Sequence, residues 1–139
     1  MYILKEMLMK KIHILLILII TISIRGYEIQ GQSKPSQTTS VQSLNQEVQT
    51  LLSKNAIVID VRTKEEFQMA HYKDALNIPY DEIEKHIKKL EAYKDKPIIL
   101  YCRSGRRASI AKQTLEKYGF KNVLNAINLD YFPADKIVR

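Results

Sequence analysis

A single cysteine, Cys102, closes an apolar run, and a loop of Arg103, Ser104, Gly105, Arg106 and Arg107 follows it at once. A thiol there can ionise, and a thiolate is a nucleophile. A short strand-to-helix turn points several backbone N–H groups at its own centre. Gly105 permits a backbone angle that other residues resist. A helix beginning near Arg107 turns its positive dipole end toward the same spot. Arg103, Arg106 and Arg107 add fixed positive charge. All these effects favour a thiolate at Cys102 and an anion bound beside it. A persulfide, whose terminal sulfur is negative at neutral pH, suits such a seat. A lone cysteine in a strand is more often an inert buried hydrophobe. Against that, three cations at a helix start oppose the dipole unless an anion compensates them.

With one cysteine no intramolecular disulfide and no Cys-rich zinc site can form. The absence of a Cys-x-x-Cys pair argues against a dithiol oxidoreductase. His13, His71 and His86 lack metal-ligand spacing. No metal site and no cofactor is expected.

The elements that must position the loop alternate. Leu44, Val48, Leu51 and Leu52 share one helical face, with Ser43 and Gln46 as a capping box. Ala56–Val61 is a strand-length apolar run. Thr63-Lys64-Glu65-Glu66 is a second capping box opening a short helix. Ala75–Ile78 reads as a strand stopped by Pro79. Ile83, Ile87 and Leu90 mark a helix through Asp81–Tyr93. Ile98–Tyr101 is the next strand. Ile110, Ala111, Leu115 and Tyr118 face inward on a helix ending at Gly119. Val123 and Leu124 belong to a last strand. Alternation of this kind implies an α/β fold: a small parallel sheet of four or five strands with helices on both faces. Ligands in such sheets bind beyond the carboxyl ends of the strands. Cys102 and Asp60 both fall at such ends.

The 139 residues suffice for one cored domain. It is expected over residues 43–139, after an export segment at 1–31 and a polar linker at 32–42, part of which could form an edge strand. Lys10 and Lys11 precede Ile12–Ile24, a run of 13 residues interrupted only by His13, Thr21 and Ser23. A membrane span needs ~20 apolar residues, so this run has the length of a signal-peptide core. A cleaved signal and an uncleaved anchor both fit. The domain is therefore expected outside the cytoplasm, periplasmic or extracytoplasmic, with membrane attachment through residues 12–24 as the alternative. Net charge is +7 overall; from Ser33 onward 18 basic and 13 acidic residues remain. The lysines are spread out, with no aromatic-interleaved basic stripe, so nucleic acid is not expected as a partner. A small anionic substrate fits the mild positive charge.

Cys102-Arg103-Ser104-Gly105-Arg106-Arg107 resembles the active-site loop of single-domain rhodaneses. Ile59-Asp60-Val61-Arg62, Glu66-Phe67, His71, Ala75 and Asn77-Ile78-Pro79 are similar to the other hallmark of that family. The resemblance covers about residues 43–128, and the exported, compact form resembles the phage-shock type of periplasmic rhodanese. It implies a thiosulfate sulfurtransferase: Cys102 takes sulfane sulfur from an anionic donor and passes it to cyanide or a thiol. It also implies that the loop amides from Arg103 to Ala108 hold the persulfide. Arg107, with Arg103 and Arg106, would hold the donor's oxyanion. Asp60 and Arg62 would support the loop, and His71 would be structural. Arg62 and Glu66 sit four apart, a spacing that predicts a structural pair. Two departures stand out. Ala70 replaces a usual glycine, and Asn125-Ala126-Ile127-Asn128 replaces a Gly-Gly-containing turn.

Two rivals remain. Cysteine phosphatases of a related fold place five residues between cysteine and arginine, whereas here Arg107 is itself the fifth after Cys102. A persulfide carrier or redox-sensing partner with little small-molecule turnover uses the same residues as the enzyme.

Overall fold

Strand β4 (Ile98–Tyr101) is buried at every position, and its side chains alternate between two cores. Ile98 and Leu100 point to one, Ile99 and Tyr101 to the other. That two-residue period is what a strand covered on both faces requires. In this computed structural model the residues described are Met9, Lys11 and 37–139. The chain divides into two units, Met1–Lys34 and Pro35–Arg139, and every element below lies in the second. The expected export run Ile12–Ile24 and the first part of the linker lie outside the described residues.

Helix α1 (Gln37–Ser53) is followed by β1 (Ile57–Asp60), α2 (Lys64–Met69), β2 (His71–Tyr72) and β3 (Leu76–Asn77). Helix α3 (Ile83–Leu90) runs into a 3₁₀ turn at Glu91–Tyr93, and β4 follows. Then come α4 (Arg106–Lys117), β5 (Val123–Asn125), two 3₁₀ turns and β6 (Ile137–Val138). Four parallel strands lie in the order β3-β1-β4-β5, with Asp60 opposite Tyr101 in register. Helix α1 packs Val48 against Val58, Ile99 and Tyr101 on one face. Helices α3 and α4 pack Ile83, Leu90, Ala108, Ala111 and Leu115 on the other. The expected α/β sheet with helices on both faces is the observed fold.

Two helices end in the same device. Asn55 at φ 56° lets the Ala56 and Asn55 N–H groups reach back to the carbonyls of Leu51 and Leu52. Gly119 at φ 85° lets Phe120 and Gly119 do the same to Leu115 and Glu116. Both close off carbonyls that the helix leaves unpaired.

Four local expectations are corrected. Helix α1 starts at Gln37, not Ser43, so residues 37–42 are helix rather than linker or edge strand. Ser43 is no cap; its hydroxyl donates to the Ser40 carbonyl at 2.8 Å, a back-bond available inside a helix. The helix expected through Tyr93 is α over Ile83–Leu90 only. Ile110 is exposed: α4 starts at Arg106, and the inward face is set by Ala108, Ala111 and Leu115. The antiparallel pair β2–β6, with His71 opposite Val138, adds an element absent from the sequence reading.

Candidate active site

Asp60 ends β1 and Cys102 directly follows the neighbouring parallel strand β4, and both are buried. Their surroundings differ. Asp60 receives the Arg62 guanidinium on both oxygens, with Nε at 2.9 and 3.0 Å and Nη2 at 2.5 Å. The Arg62 backbone N–H adds a bond at 2.9 Å. Arg62 Nη2 also donates to the Ala70 carbonyl at 2.6 Å, and the guanidinium lies over the Tyr101 ring at 5.3 Å. Asn77 Nδ2 donates to the carbonyls of Asp60 and Arg62. No buried polar atom of the ion pair lacks a partner, and the pair braces the ends of β1 and β3. Burial pushes the Arg62 guanidinium down, the bonds to Asp60 and its charge push it up, and the net shift is upward. The expected Arg62–Glu66 pair does not form. Arg62 turns back to the nearer, buried carboxylate and leaves Glu66 for another partner.

That partner is Arg107, bound at both nitrogens: Nη1 to Oε2 at 2.6 Å and Nη2 to Oε1 at 2.9 Å. Two parallel N–H···O bonds are the strong form of such a pair. Glu66 also closes the expected capping box, accepting the Thr63 N–H at 3.2 Å while Thr63 Oγ1 accepts the Glu66 N–H at 3.3 Å. The Arg107 guanidinium holds the Glu66 carboxyl down at about 2, against an ordinary 4.5. The arginine expected to take the donor's oxyanion is thus tied to α2. Arg103, Ser104 and Arg106 are the exposed residues of the loop. His71 stacks on Phe67 at 3.9 Å and shares a hydrogen bond with the Phe67 carbonyl.

Cys102 has only 2% of its surface exposed. Gly105, at φ 82°, is the N-cap of α4 and donates its N–H to Cys102 Sγ at 3.1 Å. Burial pushes the Cys102 thiol up. Hydrogen bonding from the backbone at Ala108, Ser104, Gly105 and Arg107 outweighs it, and the net shift is downward. The Arg107 guanidinium adds a charge interaction with the same sulfur. A thiol stabilised as an anion in this way is available as a nucleophile.

The far wall is β5 and the turn after it. The Cys102 N–H donates to the Ile127 carbonyl at 3.0 Å. Asn125 Nδ2 donates to the Gly105 carbonyl at 2.9 Å and to Ser109 Oγ at 2.8 Å. Among the described residues, cysteine, loop, strand ends and turn therefore converge on one place. It lies beyond the carboxyl edge of the sheet, where ligands of open α/β sheets bind.

The rhodanese-like domain model matches residues 44–128, more than half of the chain. The chain belongs to the rhodanese-like domain family. Over 88 residues this rhodanese-like domain is 36% identical to the candidate sulfur carrier protein YrkF of Bacillus subtilis, covering 63% of this chain and 45% of that protein. Over 79 residues it is 34% identical to the thiosulfate sulfurtransferase PspE of Escherichia coli K12, covering 57% of this chain and 76% of that one. A solved structure of an E. coli rhodanese with anions aligns at TM-score 0.55 and 33% identity, covering 60% of this chain and 98% of its own. The chain thus spans less than half the length of YrkF and three quarters of PspE.

The sequence misplaces two residues of the site. Glu66 reads there as a helix cap, a hallmark residue and the partner of Arg62, and nothing in its neighbourhood points to Arg107. Asn125 was noticed only as part of an altered turn.

Proposed function

We propose that this rhodanese-like domain moves sulfane sulfur from thiosulfate, or a similar anionic donor, to cyanide or a thiol through a persulfide on Cys102. The observation that carries it is the ring of backbone N–H groups on a buried sulfur, with the Gly105 N–H at 3.1 Å. The Cys102 thiolate attacks the outer sulfur of thiosulfate. The S–S bond breaks, its electron pair leaves with sulfite, and Cys102 carries one extra sulfur as a persulfide anion. The acceptor then attacks that terminal sulfur, and the Cys–S bond electrons return to Cys102 as thiolate. Cyanide leaves as thiocyanate and a thiolate leaves as a persulfide. Charge balances in both halves, and no proton transfer is required of a side chain. A covalent intermediate between two half-reactions gives ping-pong kinetics.

The same amides would hold the terminal sulfur, and the exposed Arg103 and Arg106 would face the sulfonate end of the donor. Thiosulfate treatment of the purified protein, followed by intact-mass analysis, tests the reading. One added sulfur atom, absent in Cys102→Ser, supports it; an unchanged mass with every sulfane donor overturns it.

A carrier role is the second reading, favoured by the likeness to YrkF, whose name describes a sulfur carrier. Persulfide formation with negligible thiocyanate production would select it. The apolar run Ile12–Ile24 supports an exported domain, released or anchored by that run. The N-terminal residue of the protein recovered from cells distinguishes the two.

A further inference from the structure

Ile127 sits at φ 64°, the left-handed region where a β-branched residue is a rare and strained occupant. The Asn128 N–H donates to the Ala126 carbonyl at 2.7 Å, so Ile127 is the centre of a positive-φ γ-turn. A strained residue persists only where its surroundings hold it there. Here the holding contacts run straight into the cysteine loop. The Ile127 carbonyl accepts the Cys102 N–H at 3.0 Å, and the Ile127 N–H donates to Asn125 Oδ1 at 2.9 Å. The other end of the Asn125 amide reaches the Gly105 carbonyl and Ser109 Oγ. One side chain thus ties the turn behind Cys102 to the glycine in front of it.

We propose that Asn125 is a positioning residue for the Cys102 nucleophile, clamping the Gly105 carbonyl while holding Ile127 in the turn that fixes the Cys102 backbone. The Gly105 carbonyl belongs to the peptide that opens α4. Fixing it fixes the left-handed turn at Gly105, and with it the aim of the Gly105 N–H and of the first N–H groups of the helix. Those groups stabilise the thiolate. Asn125 bonds to Gly105, Ser109 and Ile127 and not to the sulfur, so its effect passes through the backbone. This deepens the sulfur-transfer reading and rests on it.

The test is the pH dependence of Cys102 alkylation by iodoacetamide, read by intact mass, alongside thermal unfolding. Asn125→Ala is expected to raise the alkylation midpoint by about one pH unit, the order of effect of losing well-aimed hydrogen bonds to an anion. At a pH below both midpoints that is about a tenfold loss of rate. Ser109→Ala removes just one of the Asn125 bonds and should leave the midpoint where it is. Should Asn125→Ala not fold, the double variant with Ile127→Gly serves, since glycine takes the positive φ unaided while the Gly105 carbonyl stays released. Its midpoint should also rise relative to Ile127→Gly alone. A folded variant with lowered thermal stability and an unmoved midpoint would make Asn125 merely structural and overturn the proposal. A wild-type protein that gains no sulfur from thiosulfate overturns the transfer reading instead, whatever Asn125 does to the midpoint.

Discussion

Adjacent strand ends in this domain carry two buried acids that have been handled in opposite ways. Asp60 is neutralised by a side chain: the Arg62 guanidinium covers both its oxygens, and the pair is closed off by Ala70, Asn77 and Tyr101. Cys102 is stabilised chiefly by the backbone, with hydrogen bonds at Gly105 and its neighbours; the Arg107 guanidinium, held by both oxygens of Glu66, adds a smaller attraction. The amides carry most of the stabilisation of the charge. The comparison teaches that burial of an ionisable group marks a brace when a side chain saturates it and a reactive centre when peptide dipoles do.

Breaking the second arrangement has the largest expected effect. Cys102→Ser should lower thiocyanate formation from thiosulfate and cyanide on the order of 10³-fold or more, with the far-ultraviolet circular dichroism unchanged. Breaking the first should harm the fold instead. Asp60→Ala leaves Arg62 as an uncompensated, nearly buried cation; its side chain is 11% exposed. Urea unfolding should show a loss of about 3–5 kcal/mol. A variant that lost activity but kept its unfolding midpoint would blur the distinction.

Smaller effects sharpen it. Arg103→Ala and Arg106→Ala together should raise the thiosulfate KM by about tenfold, the scale of one lost charge-assisted contact, with little change in stability because both side chains are exposed. Glu66→Gln should have the smallest effect. It weakens a part-exposed ion pair, for which about 1 kcal/mol is the expected loss. The sign with pH follows from the depressed carboxyl. Because Glu66 titrates at about 2 in the folded chain and near 4.5 when unfolded, its contribution is full above 4.5 and disappears as pH falls toward 2. Wild type should therefore lose stability relative to Glu66→Gln across that window, measured by thermal unfolding at each pH.

How legible these features were depends on their reach along the chain. The β1 and β4 runs, the alternating burial and the Thr63–Glu66 capping box lie within a few residues, where periodicity and cap chemistry speak directly. The cysteine loop was legible for the same reason, since Cys102, Gly105 and the start of α4 are contiguous. The Glu66–Arg107 pair spans 41 residues and the Asn125–Gly105 clamp 20, and no local pattern encodes either. Arg62 was assigned the wrong partner because helical spacing suggested Glu66, whereas the residue lies before α2 and folds back on Asp60. Strands β2 and β6 have two residues each, too short to carry a period.

The central claim is that peptide dipoles keep this sulfur ionised in a buried place. Rates of Cys102 alkylation by iodoacetamide, followed by intact mass from acid to alkaline pH, test it most directly. The account predicts a midpoint below the ordinary thiol value of 9.0. A midpoint at or above that value would mean that burial outweighs the amides, and would contradict it.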